Sequence, residues 1–157
     1  MSVDDSVLEN SIRLAGHVVL NPSPIHPDWV IEGNPIARNK VLSSSADGTA
    51  STLIWDCTAG RFNWFYDVDE TIYVIEGAVV IRDVTGLQRR YNAGDSIFFP
   101  AGARAEWHVE KYIRKIAFCR TPLPAALVFA KRGVRFLKRL MRTSGSPNAA
   151  PAMFQGR

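Results

Sequence analysis

Between residues 35 and 120 the sequence predicts an all-β domain wound as a sandwich or barrel. Segments of strand character recur there at eight-to-twelve-residue intervals, each bounded by Gly, Pro or Asp. Inside them apolar and polar residues alternate. The clearest case interleaves Phe62, Trp64 and Tyr66 with Asn63, Phe65 and Asp67, which puts the first three aromatics on one face. A repeat of three and four residues, the helical signal, emerges only after residue 121. Strands grouped without helices between them argue against β-α-β units.

Residues 1–34 read as an extended N-terminal arm. Val7, Leu8, Ile12 and Leu14 make a short amphipathic segment, and prolines at 22, 24 and 27 force extended or turning backbone. The arm is expected to lie over the body as a strap, anchored by Trp29. Strand character begins at Pro35 and reaches Asp47-Gly48, a hairpin signal. Residues 50–57 form the next strand, and Thr58-Ala59-Gly60 is expected to turn the chain into 61–67. A strand from Ile72 to Asp83 is interrupted at Glu76-Gly77, and Val84-Thr85-Gly86 turns back into 88–91. Ala93-Gly94-Asp95 and Pro100-Ala101-Gly102 bracket a strand over 96–99, and strands over 105–109 and 113–120 complete the set.

After residue 121 Leu127, Ala130, Val134, Leu137 and Met141 share one helical stripe, opposite a side rich in Lys and Arg. This predicts a basic amphipathic helix over 121–142, in which Gly133 costs about 1 kcal/mol relative to Ala. Residues 143–157, small, polar and marked by Pro and Gly, read as a disordered tail.

At 157 residues, 46% apolar and 22% charged, the chain has the make-up of one soluble domain. No apolar run approaches the ~18 residues that would span a bilayer. The start is acidic and lacks a secretory h-region, so a cytoplasmic setting is expected. Cys57 and Cys119, far apart and outside any C-x-x-C, are expected as reduced thiols there. The charge is split: residues 1–110 carry eight Lys or Arg against fifteen Asp or Glu, and residues 111–157 carry eleven bases and no acid. The acidic body opposes nucleic-acid binding. The basic helix is expected to dock on the body or on a twin subunit. A second reading lays residues 123–142 on an anionic membrane surface.

Two glycine-marked blocks carry the family signal. Glu70 and Gly77 keep the carboxylate-to-glycine interval of a first motif, and Gly94, Pro100 and Gly102 follow the G-x5-P-x-G of a second. These blocks resemble the cupin superfamily. Within it, the run from Trp55 to Thr71, the segment Gly94–Gly102 and Glu106-Trp107-His108-Val109 are similar to the (S)-ureidoglycine aminohydrolase-type cupin domain. The resemblance implies a double-stranded β-helix, or jelly-roll barrel, over 35–120. It also implies pairing of two copies through their sheets, so a homodimer is expected. The ureidoglycine enzymes hold a divalent metal, usually manganese, on His and carboxylate or amide ligands. Here the generic ligand positions fall on Trp64, Tyr66, Glu70 and Ala105, of which Glu70 alone binds metal readily. His108 has the wrong strand parity to replace them. No resident metal or other cofactor is therefore expected; if one is present, it would be manganese or another divalent cation.

Two function classes follow. The first is a metal-free module that binds a small organic molecule in a pocket lined by Phe62, Trp64, Tyr66, Ala105 and Trp107. Glu70 is its polar group and its candidate acid or base, since desolvation favours the neutral acid. The second is a metal-dependent enzyme similar to ureidoglycine aminohydrolase, acting on a small ureido or amino-acid-like substrate. A plainer reading of the same residues stays open: the aromatics are core, with Glu70 bonded to Tyr66 or a backbone amide. No Ser-His-Asp order, nucleophile elbow or phosphate loop occurs.

Overall fold

The computed structural model describes residues 18–122 and 124. The expected helix over 121–142, the tail and residues 1–17 of the arm lie essentially outside that range. Eight strands are formed: β1 (Asn21–Pro22), β2 (Val30–Gly33), β3 (Ala37–Ser44), β4 (Ala50–Phe65), β5 (Asp69–Asp83), β6 (Gln88–Asn92), β7 (Ser96–Phe99) and β8 (Arg104–Arg120). The all-β expectation holds for this unit.

Strand β8 is the axis. It runs antiparallel between β4 and β5, pairing with each along most of its length. Register shifts break these ladders between Thr58 and Gly60 on β4, and between Val74 and Val80 on β5. An extra residue in one strand bends it and sharpens its twist. Each long strand thereby contributes to two half-sheets. In the first, β1, β3, β4, β8, β5 and β7 lie side by side; in the second, β2, β4, β8, β5 and β6 do.

The turn expected at Thr58-Ala59-Gly60 and the break expected between 109 and 113 are corrected here. Both lie within continuous strands, at or beside bulges, because glycine and an unpaired residue bend a strand without ending it. Gly77 shows how tight the bend is. Its φ is 74°, and a Cβ there would collide with the carbonyl oxygen of Tyr112 on β8.

The two half-sheets enclose the core. On β8 the odd-numbered residues Ala105, Trp107, Val109, Ile113, Lys115 and Ala117 are all buried, so one parity faces inward on both sides of the bend. Trp55, Cys57 and Phe62 from β4 and Ile72, Val74, Val79 and Ile81 from β5 meet them. Full burial of each large apolar side chain stabilises by roughly 1.5–3 kcal/mol. The described part of the arm is stitched on: β1 pairs with β3, β2 pairs with β4, and Trp29 packs 5.8 Å from Trp64 and 5.1 Å from Phe65. The outer side of the first half-sheet keeps an apolar row, Phe118–Thr71–Phe98, in register across three strands and open to solvent.

Candidate functional site

Glu70, near the start of β5, and Lys115, on β8, both point inward. Lys115 Nζ donates to Glu70 Oε1 at 2.5 Å, with the lysine 4% and the glutamate 8% exposed. The same ammonium lies 5.2 Å from the ring centroid of Trp55 and 5.0 Å from that of Trp107. An ammonium has three donors and no acceptor. One carboxylate and two indole faces lie around it and offset its charge.

Around this pair the interior is filled. Phe62 and Trp107 stack with centroids 6.2 Å apart and planes 17° apart. Tyr66 stacks on Phe99 at 4.2 Å, and its hydroxyl accepts a hydrogen bond from Trp107 Nε1 at 3.1 Å. Burial, reinforced by the charge of Glu70, drives the Tyr66 hydroxyl far above the usual phenol range, so it stays protonated. The expected bond between Glu70 and Tyr66 or a backbone amide is thus replaced by an ion pair. A lysine 45 residues away satisfies the glutamate and leaves the phenol to the indole.

Trp64 is half-buried at the edge of this cluster, among Trp29, Trp55 and Phe62, and Ala105 is buried at the start of β8. Six residues were expected to line a pocket: Phe62, Trp64, Tyr66, Glu70, Ala105 and Trp107. The structure brings all of them to the interior side. Of these, Ala105 lines a cleft of about 460 Å³ that opens between β6 and β7. Its walls are Tyr91, Ile97, Phe99 and Ala103, with Arg89 and Arg104 also lining it.

These donors do not fit a divalent metal. Trp64 and Ala105 offer no ligand atom, Tyr66 holds its proton, and Glu70 is already bonded to a cation that would repel another. Among the described residues no three His, Cys, Asp or Glu side chains come together to hold an ion. His108 is on the opposite face from Ala105 and Trp107, pairing in register with Arg61 and Val80. The acidic cluster at 67–70 is divided: Asp69 turns away from Glu70, accepting from Ala101 N at 3.0 Å and Arg120 Nη2 at 2.8 Å.

Lys115 is the residue that sequence reasoning missed. The signal was present: it shares the parity of Trp107 and Ile113, flanked at inward positions by apolar residues.

Residues 44–117 match the family described as EutQ-like cupin domain. These residues carry a cupin domain. No curated protein matches the chain. Among solved structures, the cupin is similar to a protein of unknown function of the DUF861 family from Pseudomonas syringae pv. tomato. That match has 28% identity and a TM-score of 0.61, and covers 66% of this chain and 45% of the Pseudomonas one. It is also similar in fold to the Clostridium difficile EutQ protein, with 24% identity and a TM-score of 0.50, covering 55% of this chain and 69% of that one. A DUF861 protein from Thermotoga maritima shares 36% identity over 41% of this chain and 73% of its own, with a TM-score of 0.39. The cupin thus spans under half the length of its Pseudomonas relative. Among its described residues, no helix is long and apolar enough to cross a membrane.

Proposed function

We propose that this cupin is a metal-independent module that binds a small organic molecule. The observation that carries the reading is the Lys115 ammonium, held on Glu70 between Trp55 and Trp107. It supplies a fixed positive charge inside the fold, covalently tethered and needing no ion from solution. Glu70, spent on that pair, is a structural counter-ion rather than an acid or base for chemistry. The space proposed for the ligand is the cleft beside Ala105, which buried Phe99 and Ala105 reach and whose size falls in the range of small-molecule sites.

The test is a melting-temperature screen of small organic compounds, run beside a manganese titration. The expected result is no stoichiometric manganese and saturable shifts that Ala103→Trp removes, because that half-buried wall residue would fill the cleft. Stoichiometric metal, or shifts indifferent to the filled cleft, overturns the reading.

A homodimer belongs to the same proposal. Phe98 and Phe118, 59% and 49% exposed on the outer side of the first half-sheet, offer a second copy an apolar face. Sedimentation should show a dimer that Phe98→Ser with Phe118→Ser turns into a monomer; a monomeric wild type removes it. We also place the protein in the cytoplasm, a setting that suits its two unbridged thiols.

A further inference from the structure

We propose that the cleft between β6 and β7 takes a small organic monocarboxylate, an apolar body ending in an acid group, with Arg89 as its counter-charge; this rests on the cleft being the binding site. Arg89 pairs in register with Ile81, and Tyr91 with Val79, so the three side chains of Arg89, Ile81 and Tyr91 share the inward face of the second half-sheet. A seam packed shut would place an apolar side chain at position 89. An arginine there points a guanidinium along the wall that Tyr91, Ile97 and Phe99 make apolar.

Of the eight arginines among the described residues, four are paired with a carboxylate and four, Arg82, Arg89, Arg104 and Arg114, are not. Arg38, Arg61, Arg90 and Arg120 each sit on a carboxylate. Among the described residues neither Arg89 nor Arg104, the two arginines of this cleft, has a carboxylate within 4.0 Å. Arg104 instead lies 5.4 Å over the ring of Phe65. The cleft does contain one acid, Asp83, but its Oδ1 is turned into its own hairpin, accepting from Thr85 N, Thr85 Oγ1 and Leu87 N. With the Arg104 guanidinium over Phe65 and the Asp83 carboxylate held in its hairpin, the Arg89 guanidinium is the cation left to face a ligand in the cleft. A guanidinium fork matches a carboxylate in a bidentate way, while the apolar walls take the remainder of the ligand.

The probes are benzoate and hexanoate, their neutral amides benzamide and hexanamide, and benzylammonium, at constant ionic strength. Binding is followed by melting temperature and by NMR shifts of the Ala103 and Ala105 methyls. The acids should bind saturably at least tenfold more tightly than the amides, and benzylammonium should not bind. Arg89→Gln should remove that tenfold preference, and Arg89→Lys should restore part of it. Because position 89 is exposed on an edge strand, both variants should melt like the wild type without ligand. Equal binding of acids and amides, abolished by Ala103→Trp, overturns the ligand class and leaves the cleft as a site. No binding by any of the five probes, at concentrations where the Ala103 and Ala105 methyls stay unmoved, overturns the class and counts against the site itself.

Discussion

Two nearly buried carboxylates lie on opposite faces of the first half-sheet, and they are answered differently. Glu70 faces the core and meets Lys115, with side-chain exposures of 11% and 4%. Asp56 faces outward, 2% exposed, and is gripped by an Arg38 side chain that is 50% exposed, as well as by the hydroxyl of Tyr112 at 2.9 Å. On the outer face the half-exposed cation stays in contact with water and the pair can open to it. On the inner face neither partner has that escape, so the charges stand or fall together. The contrast is between a cation that can leave its partner for water and a tethered amine that cannot dissociate from the fold.

The largest effect is expected from breaking the inner pair. Lys115→Met leaves Glu70 unpaired among apolar groups and should cost about 3–5 kcal/mol in urea unfolding, whereas adding Glu70→Leu should recover most of it. A cost below about 1 kcal/mol for the single change would erase the distinction between the two faces. Asp56→Asn on the outer face should cost less, about 1–2 kcal/mol, since Arg38 returns to water. Tyr112 sharpens this test. Burial first, and the bond to Asp56 second, push its phenol up to about 12, so ultraviolet titration of Asp56→Asn should show a partial fall.

The thiols compare the same two depths. Cys57 is fully buried and pushed up to about 12 by burial, then by the charge of Asp56, while half-buried Cys119 is raised chiefly by burial. Iodoacetamide at neutral pH should therefore label Cys119 slowly and Cys57 only after unfolding. Fast labelling of Cys57 would mean that the inner layer opens readily.

The smallest effect concerns Asp69, whose carboxyl is held below its usual range by the Ala101 N–H first and then by Arg120. A depressed folded value contributes stability above the unfolded value that is lost as pH falls through the folded one. The advantage of wild type over Asp69→Asn should thus be present at neutral pH and shrink below about pH 4. An advantage independent of pH would point to packing instead.

Much of this was legible beforehand, and the gaps have physical causes. Period two put Ala105 and Trp107 on one face and His108 on the other, and the glycine and proline spacings pointed to the family. Gly60 and Gly77 were visible as punctuation, but composition does not tell a turn from a bulge inside a strand. That depends on which partner runs alongside, and β8 comes more than 25 residues later. Glu70 was recognised as the odd polar group, yet its lysine is distant in sequence and looks like one member of a basic segment. Arg89 was hidden in the same way, because its inward parity emerges only from its pairing with Ile81.

Strand β8 lies between β4 and β5, although the chain reaches it last among the eight. A ribosome that has finished β7 has therefore released two long strands whose shared neighbour does not yet exist. Their ladders with β8 form only when residues 104–120 emerge, so the β2–β3–β4 and β5–β6–β7 groups are joined in one late step of long sequence separation, which favours slow folding. Until then the edges that later flank β8 are open to other chains. A nascent chain stalled at residue 103 should be digested by protease throughout, and one stalled well beyond residue 122 should not.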